Sequence, residues 1–165
     1  MRAPQHTRVS PRRGSKPGGK PVVPDVFISY SRRDKEFVER LTQGLASRGK
    51  DVWVDWEDIP ASAEWLREVQ DEIDASDAFL PVLTPESVSS HVCAQELAHA
   101  LEQRKRILPI VHRDVDPQDV PPEAVAINWI YLREQDSFED GLATLLEALD
   151  TDLEYVRAHT RCPWP

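Results

Sequence analysis

One carboxylate stands out because of its surroundings. Glu96 lies among Val92, Cys93, Ala94, Leu97, Ala98, Ala100 and Leu101, so a helix over this stretch is apolar on most sides and the acid is partly desolvated. Desolvation disfavours the ionised form, raises the pKa of such a group and makes it a candidate for chemistry. A surface glutamate that only supports helix propensity has the same spacing, and on spacing alone that bland reading leads by about two to one. Cys93 has no histidine placed to activate it and reads as a small apolar filler. No His and Cys spacing suits zinc, no nucleophile elbow occurs, and there is no Gly-rich phosphate loop of either common type.

The elements around Glu96 follow from periodicity. From residue 25 onward, short apolar runs alternate with stretches of helical period, which is the pattern of a parallel sheet between helices. Val26 to Ile28 opens it as a strand; Ser31 and Asp34 supply capping chemistry for a helix bearing Phe37, Leu41 and Leu45, which Gly49 stops. Val52 to Val54 is the second strand, and Leu66, Val69 and Ile73 mark the next helix. Ala78 to Leu83 is the third strand, although Pro81 removes a ladder donor and points to an edge position or a bulge. Ser89 or Ser90 caps the helix of Glu96, which runs to about Arg104. Ile107 to Val111 and Ile127 to Leu132 are strands four and five, joined by an irregular, proline-rich connection from His112 to Ala126. Phe138, Leu142, Leu145, Leu146 and Leu149 define the last core helix, which Leu153 and Val156 extend toward Pro163. The expected fold is α/β, a flavodoxin-like three-layer sandwich with a five-stranded parallel sheet.

Ligands of doubly wound sheets bind beyond the carboxyl ends of the strands. Here those positions hold Ser29-Tyr-Ser-Arg32, Asp55-Trp-Glu-Asp58 and Thr84-Pro-Glu86. A phosphoreceiver domain shares the architecture but needs acids after strand one and a phosphoacceptor Asp after strand three. Ser29 and Thr84 stand there instead.

Composition sets the outer limits. The 165 residues are enough for one core with tails. Residues 1–24 hold six cations (Arg2, Arg8, Arg12, Arg13, Lys16, Lys20), no acid, and many Pro and Gly, so they read as a disordered basic arm. A transit peptide would need an amphipathic helix that Pro4, Pro11, Pro17, Gly18 and Gly19 interrupt. Outside the arm, 14 cations face 29 acids, a net charge of −15. Nucleic acid is therefore not expected as a partner of the domain itself. No apolar run is long enough to cross a bilayer, and Cys93 and Cys162 sit in contexts too different for a structural disulfide, so no membrane and a cytoplasmic location are expected. Residues 25–150 form the domain, and 151–165 are a helical extension or linker stub.

Three segments in order carry a resemblance to a known family. Asp25-Val-Phe-Ile-Ser-Tyr-Ser31, Val52-Trp-Val-Asp-Trp-Glu-Asp-Ile59 and Ser89 to Leu97 resemble the first-strand box, the second strand with its BB loop, and the glutamate helix of Toll/interleukin-1 receptor (TIR) domains. The resemblance implies an effector that cleaves NAD+ between nicotinamide and ribose, in bacterial antiviral defence, with Glu96 as catalytic residue. NAD+ is then the substrate, and no cofactor is implied. Nicotinamide leaves a pyridinium cation as a neutral molecule, so one anion that holds the ribose and stabilises an oxocarbenium-like transition state can suffice, where ordinary glycosides need two carboxylates. Water, or a group of the ADP-ribose in cyclising members, completes the reaction.

On the same resemblance Tyr30, Ser31 and Arg32 line the nucleotide, with Arg32 offsetting diphosphate charge, and Trp65 lies near the nicotinamide. For Trp65, packing against the BB loop is an equal reading. Asp55, Trp56, Asp58, Ile59 and Pro60 belong to the BB loop, through which such domains self-associate and complete a neighbour's site. His91 and Val92 depart from the aromatic residue that many enzymatic members carry there, which predicts weaker base stacking or low turnover. Ala148 to Arg161 resembles the segment joining a bacterial TIR domain to a STAND-type NTPase or repeat platform, so a sensor domain or protein is an implied partner. The alternative is a TIR module that signals by homotypic contacts without chemistry.

Overall fold

The computed structural model describes residues 7–9, 25–54 and 63–160, with side chains over 25–54 and 64–150. Its strands are β1 (Thr7–Val9), β2 (Val26–Ser29), β3 (Val52–Val54), β4 (Ala78–Leu83), β5 (Arg106–Ile107), β6 (Ile110–Val111) and β7 (Ile130–Tyr131). Its α-helices are α1 (Lys35–Ser47), α2 (Ala63–Ala75), α3 (Pro85–Val88), α4 (His91–Glu102), α5 (Pro122–Val125) and α6 (Phe138–Thr160). The strands β2, β3 and β4 are buried along their whole length, as expected of a parallel sheet covered on both faces.

The parallel order is β3-β2-β4-β6-β7, with β5 also on β4. The connections leaving β2 and β3 therefore run in opposite directions, and the crevice between β2 and β4 is the place where this topology opens a site. Asp25 fixes the start of the sheet: its Oδ2 accepts from the Asp51 amide at 2.8 Å, and its own amide donates to Asp51 O at 2.9 Å.

Successive side chains of a strand alternate between faces. Val26, Ile28 and Tyr30 accordingly join Val38, Leu41 and Leu45 of α1 and Leu142, Leu145 and Leu149 of α6 in one core. Phe27 joins Trp53, Phe79, Trp65, Val69 and Ile73 of β3, β4 and α2, with Leu97 and Ala100 of α4, in the other. The buried line of α2 is thus Trp65, Val69 and Ile73, and Leu66 is only partly covered. Gly49 ends the α1 segment at φ 82°, where a side chain would be strained.

The expected three-layer α/β fold is present, and five details differ from the sequence expectation. Pro81 lies in a central strand: Ser29 pairs with Pro81 on one side, while Phe79 pairs with Ile107 and Val82 with Ile110 on the other. The register resumes without an inserted residue, so there is no bulge. The same register sets Pro81 level with Pro109, and the strand expected over residues 107–111 is split there into β5 and β6. The fifth strand is shortened to Ile130–Tyr131, because residues 124–127 close a turn in which the Ile127 amide donates to Ala124 O. The connection from His112 to Ala126 is partly ordered, with a 3-10 turn at Pro117–Asp119 and α5, each begun by a proline that needs no donor. Thr7–Val9, within the arm expected to be disordered, pairs antiparallel with β3, Arg8 opposite Trp53.

Candidate functional site

At the carboxyl end of β2 the chain turns through Tyr30 and Ser31 into a 3-10 turn, Arg32–Asp34. Beside it, α4 starts at a polar cap: Ser90 Oγ accepts from the Cys93 amide at 3.3 Å. Ser90, not Ser89, is therefore the cap, and it sets the phase of the helix. Cys93, Leu97 and Ala100 point inward, and Glu96 lies at the margin of that stripe, half-buried. Ser29 Oγ donates to Glu96 Oε1 at 3.3 Å.

A cavity of about 310 Å³ opens here, lined by Ile28, Tyr30, Ser31, Arg32, Arg33, Trp65, Ser90, Val92, Cys93 and Glu96. It gathers five residues singled out in the sequence: Tyr30, Ser31, Arg32, Trp65 and Glu96. Tyr30 and Trp65 are each 5% exposed, so both serve the core as well as the cavity wall. The Arg32 guanidinium lies 5.2 Å from the Tyr30 ring centroid, a cation–π contact that orients it along the rim. Val92 does line the cavity, where an aromatic ring would have offered a stacking face. Asp55, Trp56, Asp58, Ile59 and Pro60 lie outside the described residues.

Burial pushes the Cys93 thiol above its usual range, and the neighbouring Glu96 adds to the shift. The thiol stays protonated at neutral pH and is a poor nucleophile, which agrees with its reading as filler.

Asp34 does not cap α1 through its side chain. Its buried carboxylate instead accepts from Thr84 Oγ1 at 2.8 Å and from Arg113 Nη2 at 2.6 Å. Arg113 also reaches Glu86 at 2.7 Å. This clasp ties the rim after β2 to the ends of β4 and β6. The Glu86 carboxyl is held below its usual range chiefly by a backbone hydrogen bond, with burial opposing and Arg113 reinforcing. Sequence reasoning missed the clasp, because partners so far apart in the chain leave no local pattern. The contact of Ser29 with Glu96 was missed as well, although alternation along β2, which puts Ser29 on the face of Phe27, toward α4, could have found it.

Among the described residues no group of three or more His, Cys, Asp or Glu could hold a metal ion, and no helix is long and apolar enough to cross a membrane.

An α/β sandwich with a glutamate-bearing helix beside the end of its first parallel strand defines the class, and comparison identifies it. The family model of the TIR domain matches residues 26–146, and the chain belongs to that family. The TIR domain of the Toll-related receptor TRR-2 from Hydra magnipapillata is 24% identical over 79% of this chain and 98% of its own, with a TM-score of 0.61. The TIR domains of the activated Roq1 resistosome are 19% identical over 76% of this chain and 99% of theirs, with a TM-score of 0.62. The CMP N-glycosidase BcmB of Clostridium botulinum is 18% identical over 73% of this chain and 96% of its own, with a TM-score of 0.51. At these identities the likeness is one of fold. No curated protein matches the chain.

Proposed function

We propose that the chain is an NAD+ nucleosidase that acts on assembly, with Glu96 as its central carboxylate. The observation that carries this reading is a half-buried carboxylate held by Ser29 on the wall of a cavity that also presents Arg32 and two rings, Tyr30 and Trp65. In the proposed reaction the bond from ribose C1′ to the pyridinium nitrogen breaks, and its electron pair leaves with neutral nicotinamide. Glu96 faces the ribose and stabilises the positive charge that develops there. Water then adds to C1′ and loses a proton, giving ADP-ribose; attack from within the ADP-ribose gives the cyclic product. Arg32 and Arg33 offset the diphosphate charge that the acidic domain would otherwise repel. NAD+ is the substrate, and the reaction as proposed needs no further cofactor.

Three neighbours of the same fold support the reading. BcmB is a CMP N-glycosidase, so the fold accommodates cleavage of an N-glycosidic bond. The Roq1 domains belong to a resistosome that recognises a pathogen effector, and the RPS4 and RRS1 TIR domains form a heterodimer, so assembly accompanies the fold in both cases. In this reading the BB loop (Asp55, Trp56, Asp58, Ile59, Pro60) and a sensor module bring copies together in the cytoplasm.

The test is NAD+ loss and nicotinamide release, followed by chromatography on concentrated or crowded protein beside Glu96→Gln. Release that disappears in the variant supports the nucleosidase. No release from folded, assembled protein leaves a TIR interaction module without chemistry.

A further inference from the structure

Ser29 is a polar residue in a place built for an apolar one. It shares a face of β2 with Phe27, which is fully buried among Trp53, Phe79, Leu97 and other apolar side chains, and it is itself only 3% exposed. A buried hydroxyl is costly unless it is hydrogen-bonded. Its partners are both on α4: the Glu96 carboxylate, to which Oγ donates at 3.3 Å, and the Cys93 thiol. Neither contact ties β2 to α4 as firmly as the surrounding apolar packing does. Removing the hydroxyl would therefore change the carboxylate far more than the fold.

We infer that Ser29 is a positioning residue for Glu96: its hydroxyl fixes one carboxylate oxygen and leaves the group on the cavity wall. Backbone makes the donor rigid, because Ser29 is the last of four consecutive residues of β2 paired with β4, where its neighbour is Pro81. A carboxylate on a helix surface has several rotamers; one that accepts from a fixed strand donor has its choice reduced. Reacting groups must be held within fractions of an ångström to be effective, and a supporting hydrogen bond is the usual means. The cavity also holds Tyr30, Arg32, Arg33 and Cys93, and because the Cys93 thiol shares the Ser29 hydroxyl, the effect on the carboxylate is read from the Glu96 side chain itself.

The kinetic arm of the test rests on the proposed NAD+ cleavage. Ser29→Ala should lower kcat by about tenfold with KM within about twofold of the parent, while Ser29→Thr, which keeps the donor, returns kcat to within about threefold. Thermal unfolding of all three proteins checks the fold. A second arm does not need activity: with carboxyl-labelled glutamate, the Glu96 carbon resonance, assigned by its loss in Glu96→Gln, is titrated by NMR. Hydrogen bonding to the anion lowers its pKa, so Glu96 should titrate at higher pH in Ser29→Ala than in the parent or in Ser29→Thr. If the parent cleaves NAD+ in a Glu96-dependent way and Ser29→Ala is equally fast, the positioning role is wrong and the nucleosidase stands. If the parent never cleaves NAD+, the nucleosidase reading fails and the titration alone decides; an unmoved Glu96 resonance would overturn the inference.

Discussion

The two layers that cover the sheet are built from different residues. Against α1 and α6 the sheet presents Val26, Ile28, Val52, Val54 and Leu80, an aliphatic surface met by leucines and valines. Against α2 and α4 it presents Phe27, Trp53 and Phe79, with Phe27 stacked on Trp53 at 4.7 Å and on Phe79 at 5.5 Å between ring centroids. At the carboxyl end of β2 the aromatic layer runs out into Ser29, Cys93 and the half-buried Glu96. The aliphatic layer reaches the cavity through Ile28 and Tyr30 and is otherwise a packing surface. The aromatic layer gives the site a stiff floor, since large flat rings leave few alternative packings to the residues above them.

Substitutions that strike one layer at a time test this division. Phe27→Ala should cost about 3–5 kcal/mol of folding free energy in urea titration and degrade the cavity with it. Leu45→Ala, in the aliphatic layer, should cost about 2–5 kcal/mol while leaving activity per folded molecule intact. Equal damage to activity from both would break the comparison. Glu96→Gln should do the opposite of Leu45→Ala: nicotinamide release falls by about 10²–10³, with the urea midpoint close to that of the parent.

A smaller loss is expected at the clasp. Asp34→Ala leaves the fully buried Thr84 hydroxyl without its acceptor and should cost about 1–3 kcal/mol by urea unfolding. Arg113→Ala should cost less, because its side chain is 44% exposed and screened.

The smallest effect concerns Cys93. Burial raises its pKa in the folded state, so the folded protein holds that proton more tightly than the unfolded chain. The resulting stability is fully present below the unfolded value near 9.0 and is lost as pH rises through the folded value. Urea midpoints from pH 8 to 10 should therefore fall more steeply in the parent than in Cys93→Ala.

What could be read in the sequence follows the same division. Both layers were visible because alternation in β2 and the four-residue spacing in α1 and α6 are local patterns. So was Glu96, set on an apolar helix. Three features were not. Pro81 looked like an edge residue because a missing donor is normally tolerated there; in the fold it forfeits one bond toward β5 and β6, while the pairing with Ser29 and the pairs on either side of it hold the strand in a central place. Asp34 looked like a cap because capping is decided within a few residues, whereas its real partners, Thr84 and Arg113, lie just beyond the ends of β4 and β6. Thr7–Val9 was hidden by the composition of the arm around it, since a three-residue strand adds little to an average dominated by Pro, Gly and cations.

Pro81 also divides the molecule in time. With no amide to donate from Pro81 toward β5 and β6, the ladder on that side of β4 is interrupted, and β6, β7 and α5 form a unit paired with β4 over fewer residues than pair β2 with β4. Such units open at lower free energy than the whole protein. The slowest-exchanging amides then belong to Val26–Ile28 and Phe79–Leu80, the outer unit breathes first, and the ion pairs of Arg113 are what that breathing breaks, while Ser29 and Glu96 stay in register on the part that does not move.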